Sequence, residues 1–269
     1  CFYRNRLVFC YRHPDRETGV SCQRCGRHIC PECQLPNAVG FLCPEDGRVS
    51  VPTRIKNNNS ASLTIGLIAI NILVYIGQWV SNGSVTNNLA YSPLLTPSEP
   101  WRMLTAGFVH SENSFMHIAL NMYSLYILGS VLEPLLGKAR FLSLYLLSIF
   151  GGSVAVLLLD APNSFVLGAS GGIFGLMGAY FVVLRSLGQG GGQLTAIIGF
   201  NLIIGFFPGL NIAWQAHVGG LIVGGLVAFV YAQTRNARDK AKQQGFVIAI
   251  AAGLVALTFY GATLLPVIG

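Results

Sequence analysis

Gly168-Ala169-Ser170-Gly171-Gly172-Ile173-Phe174-Gly175-Leu176-Met177-Gly178 is the stretch on which the reading of this chain turns, together with Trp214-Gln215-Ala216-His217-Val218-Gly219-Gly220 further along. Each opens an apolar run long enough to span a bilayer. A serine and an imidazole at membrane depth are costly, so such groups face a cavity or a partner and default to a functional site. Here the natural partners are each other, which points to hydrolysis inside the membrane.

Composition agrees with a membrane setting. The 269 residues are 52% hydrophobic and 10% charged, with a mean hydropathy of +0.57, far from an ordinary soluble domain. Apolar runs at 62–80, 115–133, 140–159, 169–187, 193–209, 214–232 and 246–265 predict an all-α polytopic fold of seven spans. With the N-terminus in the cytoplasm, the inside connections hold Arg54, Lys56, Lys138, Arg140, Arg185, Arg235, Arg238, Lys240 and Lys242, whereas the outside ones hold only Arg102. The positive-inside rule then places the C-terminus outside. Because the net charge of +7 sorts by membrane side and forms no patch interleaved with aromatics, no nucleic-acid partner is expected. The long outer connection, 81–114, carries Pro93, Pro97, Pro100 and Trp101 and reads as a structure dipping into the interface, with an ordinary loop as the blander alternative. Gly188-Gln189-Gly190-Gly191-Gly192 reads as a flexible cytoplasmic connector, and Asn57-Asn58-Asn59-Ser60 as a polar hinge before the first span.

The seven cysteines, at 1, 10, 22, 25, 30, 33 and 43, all precede the first span, which marks residues 1–50 as a separate domain and 51–61 as a linker. The chain begins at Cys1 rather than Met, which points to a short missing piece, and no signal-peptide pattern precedes the cysteines. Cys10-x-x-His13, Cys22-x-x-Cys25, Cys30-x-x-Cys33 and Cys43-x-x-Asp46 are four pairs at two-residue spacing. Such turns let both side chains reach one ion, and thiolate–imidazole sets favour zinc. Two pairs close one site, so two structural Zn²⁺ ions are expected. Disulfides are the alternative, opposed by a reducing cytoplasmic location. The spacing resembles the cross-braced B-box zinc finger. That resemblance implies Cys10, His13, Cys30 and Cys33 for one ion and Cys22, Cys25, Cys43 and Asp46 for the other. Asp46 departs from the commoner Cys or His. His28 competes as a ligand but reads more simply as a solvated loop histidine, and Cys1 has no role. A head this small needs metal to fold, and docking of a cytoplasmic protein partner or regulation is its expected use.

Within the second domain each motif has a bland reading beside the chemical one. Serine in a membrane helix is common packing material, and a lone Gly-x-Ser-x-Gly is weak. The run Gly171, Gly175, Gly178, however, shaves one face for close helix contact, and Ser170 at a helix start lies beside free backbone N–H groups. His217 could be a buried imidazole bonded to a carbonyl. It shares a face with Gly220 and Gly224, and both residues fall near the outer ends of their spans, the matched depth a nucleophile and its base require. No carboxylate is available there: Glu133 ends the second span on the cytoplasmic side and Asp160 lies in the outer loop. The pair therefore reads as a Ser-His dyad, with Phe174 one turn on as a packing partner for the imidazole. His117-x-x-x-Asn121 puts two polar groups one helical turn apart. They either glue helices or donate to an oxyanion beside the Ser170 N–H, a contribution of about 3–4 kcal/mol per donor. His110 reads as an interfacial side chain. Trp101-Arg102 has no chemistry assigned by spacing.

Taken in order, Trp101-Arg102, His117-x-x-x-Asn121, Glu133, Gly168-Ala169-Ser170-Gly171 and Ala216-His217-x-x-Gly220-x-x-x-Gly224 resemble the motifs of the rhomboid family of intramembrane serine proteases over roughly 62–232. The resemblance implies a six-helix catalytic core at 62–232, with a basic loop and a seventh helix at 233–269. It implies Ser170 as nucleophile, His217 as base, and His117, Asn121 and the Ser170 amide as oxyanion donors. Trp101 and Arg102 would belong to a membrane-dipping loop, Glu133 would be a structural acid, and Gly168, Gly220 and Gly224 would be structural glycines. It further implies cleavage of single-span proteins near the outer face of the lipid bilayer, in a bacterial plasma membrane, without a catalytic cofactor. A non-catalytic relative that binds membrane clients is the alternative. A small transporter is disfavoured because no inverted repeat or buried ion pair is evident.

Overall fold

The computed structural model describes residues 8–37, 40–48, 61–186, 188, 191–205, 212–234 and 237–266. Cys1, the hinge at 57–60, nearly all of the expected linker 51–61, and Gln189 and Gly190 of the connector lie outside the described residues. The chain divides into two compact units, Cys1–Asn58 and Asn59–Gly269.

The head contains a 3-10 turn, Pro31–Cys33, a hairpin of β1 (Leu35–Asn37) and β2 (Gly40–Leu42), and a short helix α1 (Pro44–Arg48). Isolated bridges join Phe9 to Glu17 and Ser21 to His28. Its buried cluster is Cys10, Cys22, Ile29, Cys30, Cys33, Leu42 and Cys43. Most of that core is cysteine, too little hydrocarbon to hold a fold of this size by burial alone.

The second unit is helical: α2 (Ser62–Val80), α3 (Ser84–Leu89), α4 (Arg102–Thr105), α5 (Phe115–Leu136), α6 (Lys138–Leu159), α7 (Ser170–Ser186), α8 (Gly192–Ile204), α9 (Trp214–Gln233) and α10 (Lys240–Thr263). All seven expected spans coincide with helices, in an all-α polytopic membrane fold. Five of them, α2, α5, α6, α9 and α10, are long and apolar enough to cross a bilayer, whereas α7 and α8 are shorter. The fifth span was expected over 193–209, but α8 ends at Ile204, and residues 206–211 are outside the described set. The shortness of α7 has a packing reason. Its first ten residues, Ser170 aside, are buried among neighbouring helices, so protein rather than lipid sets the length it must cover.

Backbone contact builds that centre. A Cβ on Gly220 would overlap the Gly171 carbonyl oxygen, and one on Gly224 would overlap that of Gly175. One turn earlier on α9, a Cβ on Gly152 of α6 would lie 2.8 Å from the Ala216 carbonyl oxygen. Helices α6, α7 and α9 therefore meet along strips where no side chain fits, the close approach that small residues permit inside membranes. Polar fastenings tie the surrounding helices to one another and to this trio. Glu133 accepts from the Leu63 N–H (2.9 Å), the Thr64 N–H (2.7 Å) and the Thr64 hydroxyl (2.7 Å), so α5 caps the N-terminus of α2. Those N–H groups have no partner within their own helix, and the Glu133 carboxyl oxygens supply the acceptors they lack. At the same end of the unit, Gln243 of α10 donates to the Thr234 carbonyl (3.0 Å) and hydroxyl (2.8 Å) and accepts from Arg140 (2.8 Å).

Candidate active site and metal centres

Ser170 is the first residue of α7, and the backbone before it explains its placement. Gly168 has φ +125°, a conformation rarely open to other residues. A Cβ there would also come within 2.9 Å of the His117 Nε2. The Gly168 N–H donates to the Ala106 carbonyl at 2.9 Å, and the Ala169 carbonyl accepts the first helical bond, from Ile173, at 3.0 Å. Glycine is thus required both for the turn and for the approach of an imidazole.

His217 lies in the first turn of α9, and its Nε2 stands 3.0 Å from the Ser170 Oγ. The Phe174 ring stacks on the imidazole, with centroids 4.2 Å apart and planes 12° from parallel. The His217 Nδ1 is buried, and among the described residues no protein group bonds it. The two residues are adjacent because the glycine strips on α7 and α9 leave only backbone between them. Asp160 lies beyond the end of α6 and accepts from its neighbour's amide, Ala161, at 2.8 Å.

His117 faces the same place from α5. The His117 Nδ1 accepts from the Ser111 N–H at 3.2 Å. That bond leaves the proton on Nε2, the nitrogen directed toward Gly168, where the nearest point a Cβ could occupy is 3.8 Å from the Ser170 Oγ. Asn121 donates to the His117 carbonyl at 2.8 Å. Its amide is thus bonded within its own helix in this state.

His110 corrects the sequence expectation. It is not interfacial but fully buried, with its ring centroid 5.2 Å from that of His117. The cause is a clamp that sequence reading missed. Gln78 of α2 donates to the His110 carbonyl (2.7 Å) and to the Thr86 hydroxyl (2.8 Å), and its side-chain oxygen accepts from the His110 N–H (3.0 Å). Thr86 in turn donates to Glu112. A glutamine inside an otherwise apolar span was the available signal. Arg102 is also buried: its guanidinium bonds Glu99 (2.6 Å) and the carbonyls of Asn87 (2.5 Å) and Ala90 (3.1 Å). The arginine holds the connection between α2 and α5 together, while Trp101 beside it is exposed.

In the head, the expected ligand sets assemble as Cys10, His13, Cys30 and Cys33, and as Cys22, Cys25, Cys43 and Asp46. In each, the candidate donor atoms lie within 4.8 Å of one another. The His13 Nδ1 is 3.3 Å from the Cys30 Sγ and 3.4 Å from the Cys33 Sγ. In the second set the Cys25 and Cys43 sulfurs are 3.8 Å apart. A tetrahedron with metal–sulfur bonds of about 2.3 Å has edges of about 3.8 Å. Hydrogen bonds from the Cys25, Cys22 and Cys43 thiols hold the Asp46 carboxyl down to about 2, so it is ionised. His28 belongs to neither set and is partly buried in the bridge to Ser21 rather than a solvated loop residue.

The rhomboid domain family model matches residues 97–234. The chain is 31% identical over 218 residues to the rhomboid protease GluP of Bacillus subtilis, a match covering 76% of this chain and 41% of GluP. It is 30% identical over 200 residues to the rhomboid protease GlpG of Photorhabdus laumondii, covering 68% of this chain and 69% of that protein. Rhomboid-related protein 2 of Mus musculus is 29% identical over 221 residues, covering 73% and 72%. The chain thus spans less than half the length of GluP and about seven tenths of the other two. The family match extends from the 81–114 connection through α9 and includes Ser170, His117, His217 and the glycine strips, and this chain belongs to the rhomboid family.

Proposed function

We propose that the protein is an intramembrane serine endopeptidase in which Ser170 attacks a peptide carbonyl and His217 takes its proton. The carrying observation is the 3.0 Å contact between the His217 Nε2 and the Ser170 Oγ. The imidazole accepts the hydroxyl proton as the C–O bond forms, then returns it to the leaving amine. Phe174 holds the ring plane in place of a carboxylate, so the catalytic unit is a dyad. Negative charge builds on the carbonyl oxygen in the tetrahedral intermediate. The N–H groups at the start of α7, the protonated Nε2 of His117 and, after a rotamer change, the Asn121 amide are the donors proposed for it. Water completes the second half of the reaction, expelling the acid product from Ser170.

Single-span proteins are the proposed substrates. A helical backbone hides its carbonyls, so the substrate must unwind locally, which Gly or Pro near the scissile bond favours. Lateral access between α5 and α8 is supported by the loose seating of α8, of whose described side chains Leu194 alone is buried. Charge asymmetry supports a cytoplasmic head and a site near the outer face, and the membrane is proposed to be a bacterial plasma membrane. The two ligand sets are proposed to hold structural Zn²⁺, bound by Cys10, His13, Cys30 and Cys33 and by Cys22, Cys25, Cys43 and Asp46. The head is proposed to dock a cytoplasmic protein.

Labelling with a serine-directed fluorophosphonate tests the chemistry. The wild type takes the label and Ser170→Ala does not. A Ser170→Ala variant that still cleaves a single-span substrate at the wild-type rate overturns the mechanism.

A further inference from the structure

The outer loop and the last helix enclose a cavity of about 500 Å³. Thr96, Trp101 and Leu104 line it from the loop, and Thr258, Phe259 and Ala262 line it from α10, with Phe150 of α6 also contributing. Both walls are held in place by contacts elsewhere. α10 is fastened through Gln243 near its start and seated on α6 at Gly261, where a Cβ would lie 2.7 Å from Leu157. The loop is tied to α6 by the Ser153 hydroxyl, which donates to the Met103 carbonyl at 2.7 Å. The space is therefore bounded by anchored elements rather than by two surfaces free to collapse together.

Its polarity selects the occupant. The Thr96 hydroxyl is engaged with the Tyr91 hydroxyl at 2.8 Å, and the Thr258 hydroxyl donates to the Leu254 carbonyl at 2.9 Å. Arg102, next to the lining Trp101, directs its guanidinium to Glu99, Asn87 and Ala90 instead. Lining hydroxyls already bonded, and a neighbouring cation turned away, complement hydrocarbon and disfavour a charged headgroup. Trp101 and Phe259 are more than half exposed, so the cavity opens on the surface that α10 offers to the bilayer.

We infer that this cavity holds one acyl chain of a surrounding phospholipid. A transmembrane helix of a protein does not fit. A cylinder 10 Å across enclosing about 500 Å³ is only about 6 Å tall, roughly one helical turn. The site bears on the reaction through the loop. The lining Met103 lies in the same short segment as Ala106, whose carbonyl receives the Gly168 N–H two residues before Ser170. An occupied cavity backs the segment that sets the nucleophile's turn. The inference rests on the membrane setting of α10 and not on the protease chemistry.

The test uses the full chain in phospholipid vesicles doped with a phospholipid that carries a diazirine in its acyl chain, followed by photolysis and peptide mass spectrometry. Adducts are expected on Trp101, Leu104, Phe259 and Ala262 at several-fold the density found on Leu73, Ile76 and Val80, a face of α2 that is more exposed overall. Ala262→Trp, or Thr258→Phe if the first variant does not fold, fills the cavity and should bring those adducts down to the α2 density while leaving the α2 adducts unchanged. Cavity adducts no denser than those on α2, or undiminished in a folded cavity-filled variant, overturn the inference. So does loss of the adducts on adding a single-span substrate protein, which would assign the cavity to a protein segment. The readout requires no proteolysis, so a chain without protease activity would leave the lipid inference standing or falling on its own.

Discussion

The head and the membrane unit solve the same problem by opposite means. Each must bring reactive side chains from distant segments to within a few ångströms. In the head, the buried cluster is largely the cysteines themselves, so the groups brought together are also what holds the fold, with the proposed ions completing it. In the membrane unit, the candidate pair Ser170 and His217 makes a single hydrogen-bond contact between α7 and α9. Backbone contact between Gly171 and Gly220, and between Gly175 and Gly224, holds those helices together. The lesson is that the site and the scaffold are separable in the second unit and identical in the first.

The largest expected effect tests that separation directly. Ser170→Ala and His217→Ala should each lower cleavage of a reconstituted single-span substrate by at least about 10³-fold, with a thermal midpoint close to wild type. A midpoint that collapses in both variants would mean that the dyad is part of the scaffold after all. Gly220→Leu reverses the pattern: a side chain has no room against the Gly171 carbonyl, so stability should fall by about 3 kcal/mol or more, the upper range for overpacking. Unfolding in denaturing detergent, followed by circular dichroism, measures it.

Metal removal strikes the other unit alone. Chelation by a strong zinc ligand should unfold the head, seen as rapid proteolysis within residues 8–48, while the thermal transition of the helical unit stays in place. Smaller still is Glu133→Gln, which keeps the shape but weakens the cap on the Leu63 and Thr64 N–H groups. It should cost about 1–3 kcal/mol in the same unfolding assay, without altering fluorophosphonate labelling. The smallest effect separates the two metal sets: Asp46→Ala should reduce bound zinc toward one ion per chain by elemental analysis, and Asp46→Cys should restore two. Two tightly held ions in Asp46→Ala would remove the aspartate from the ligand set.

What was legible beforehand follows from how local each signal is. Cys-x-x-Cys pairs, apolar runs and glycine spacing are properties of short segments, so the head's four ligand pairs and the seven helices could be read directly, whereas which pairs come together was implied only by the B-box resemblance. The pairing of Ser170 with His217 was legible because each lies beside a glycine strip that implies close approach to another helix. Asn121 was harder, since its helical spacing to His117 predicts a shared face but not the bond to the His117 carbonyl that it makes in this state. His110 was misread because its burial depends on Gln78, a residue of another helix.

By itself the sequence determined the membrane-spanning class, the helical inventory, the metal-type pairs and the candidate pair Ser170 and His217, because hydropathy, spacing and residue chemistry are carried by the chain locally. Only the tertiary structure decided that Glu133 caps α2, that Gln78 draws His110 inside, that Arg102 is consumed within its loop, and that α10 leaves a hydrocarbon-lined cavity against that loop. Each of these depends on which surfaces of remote segments meet, and contact between remote segments is a property of packing that no local pattern encodes.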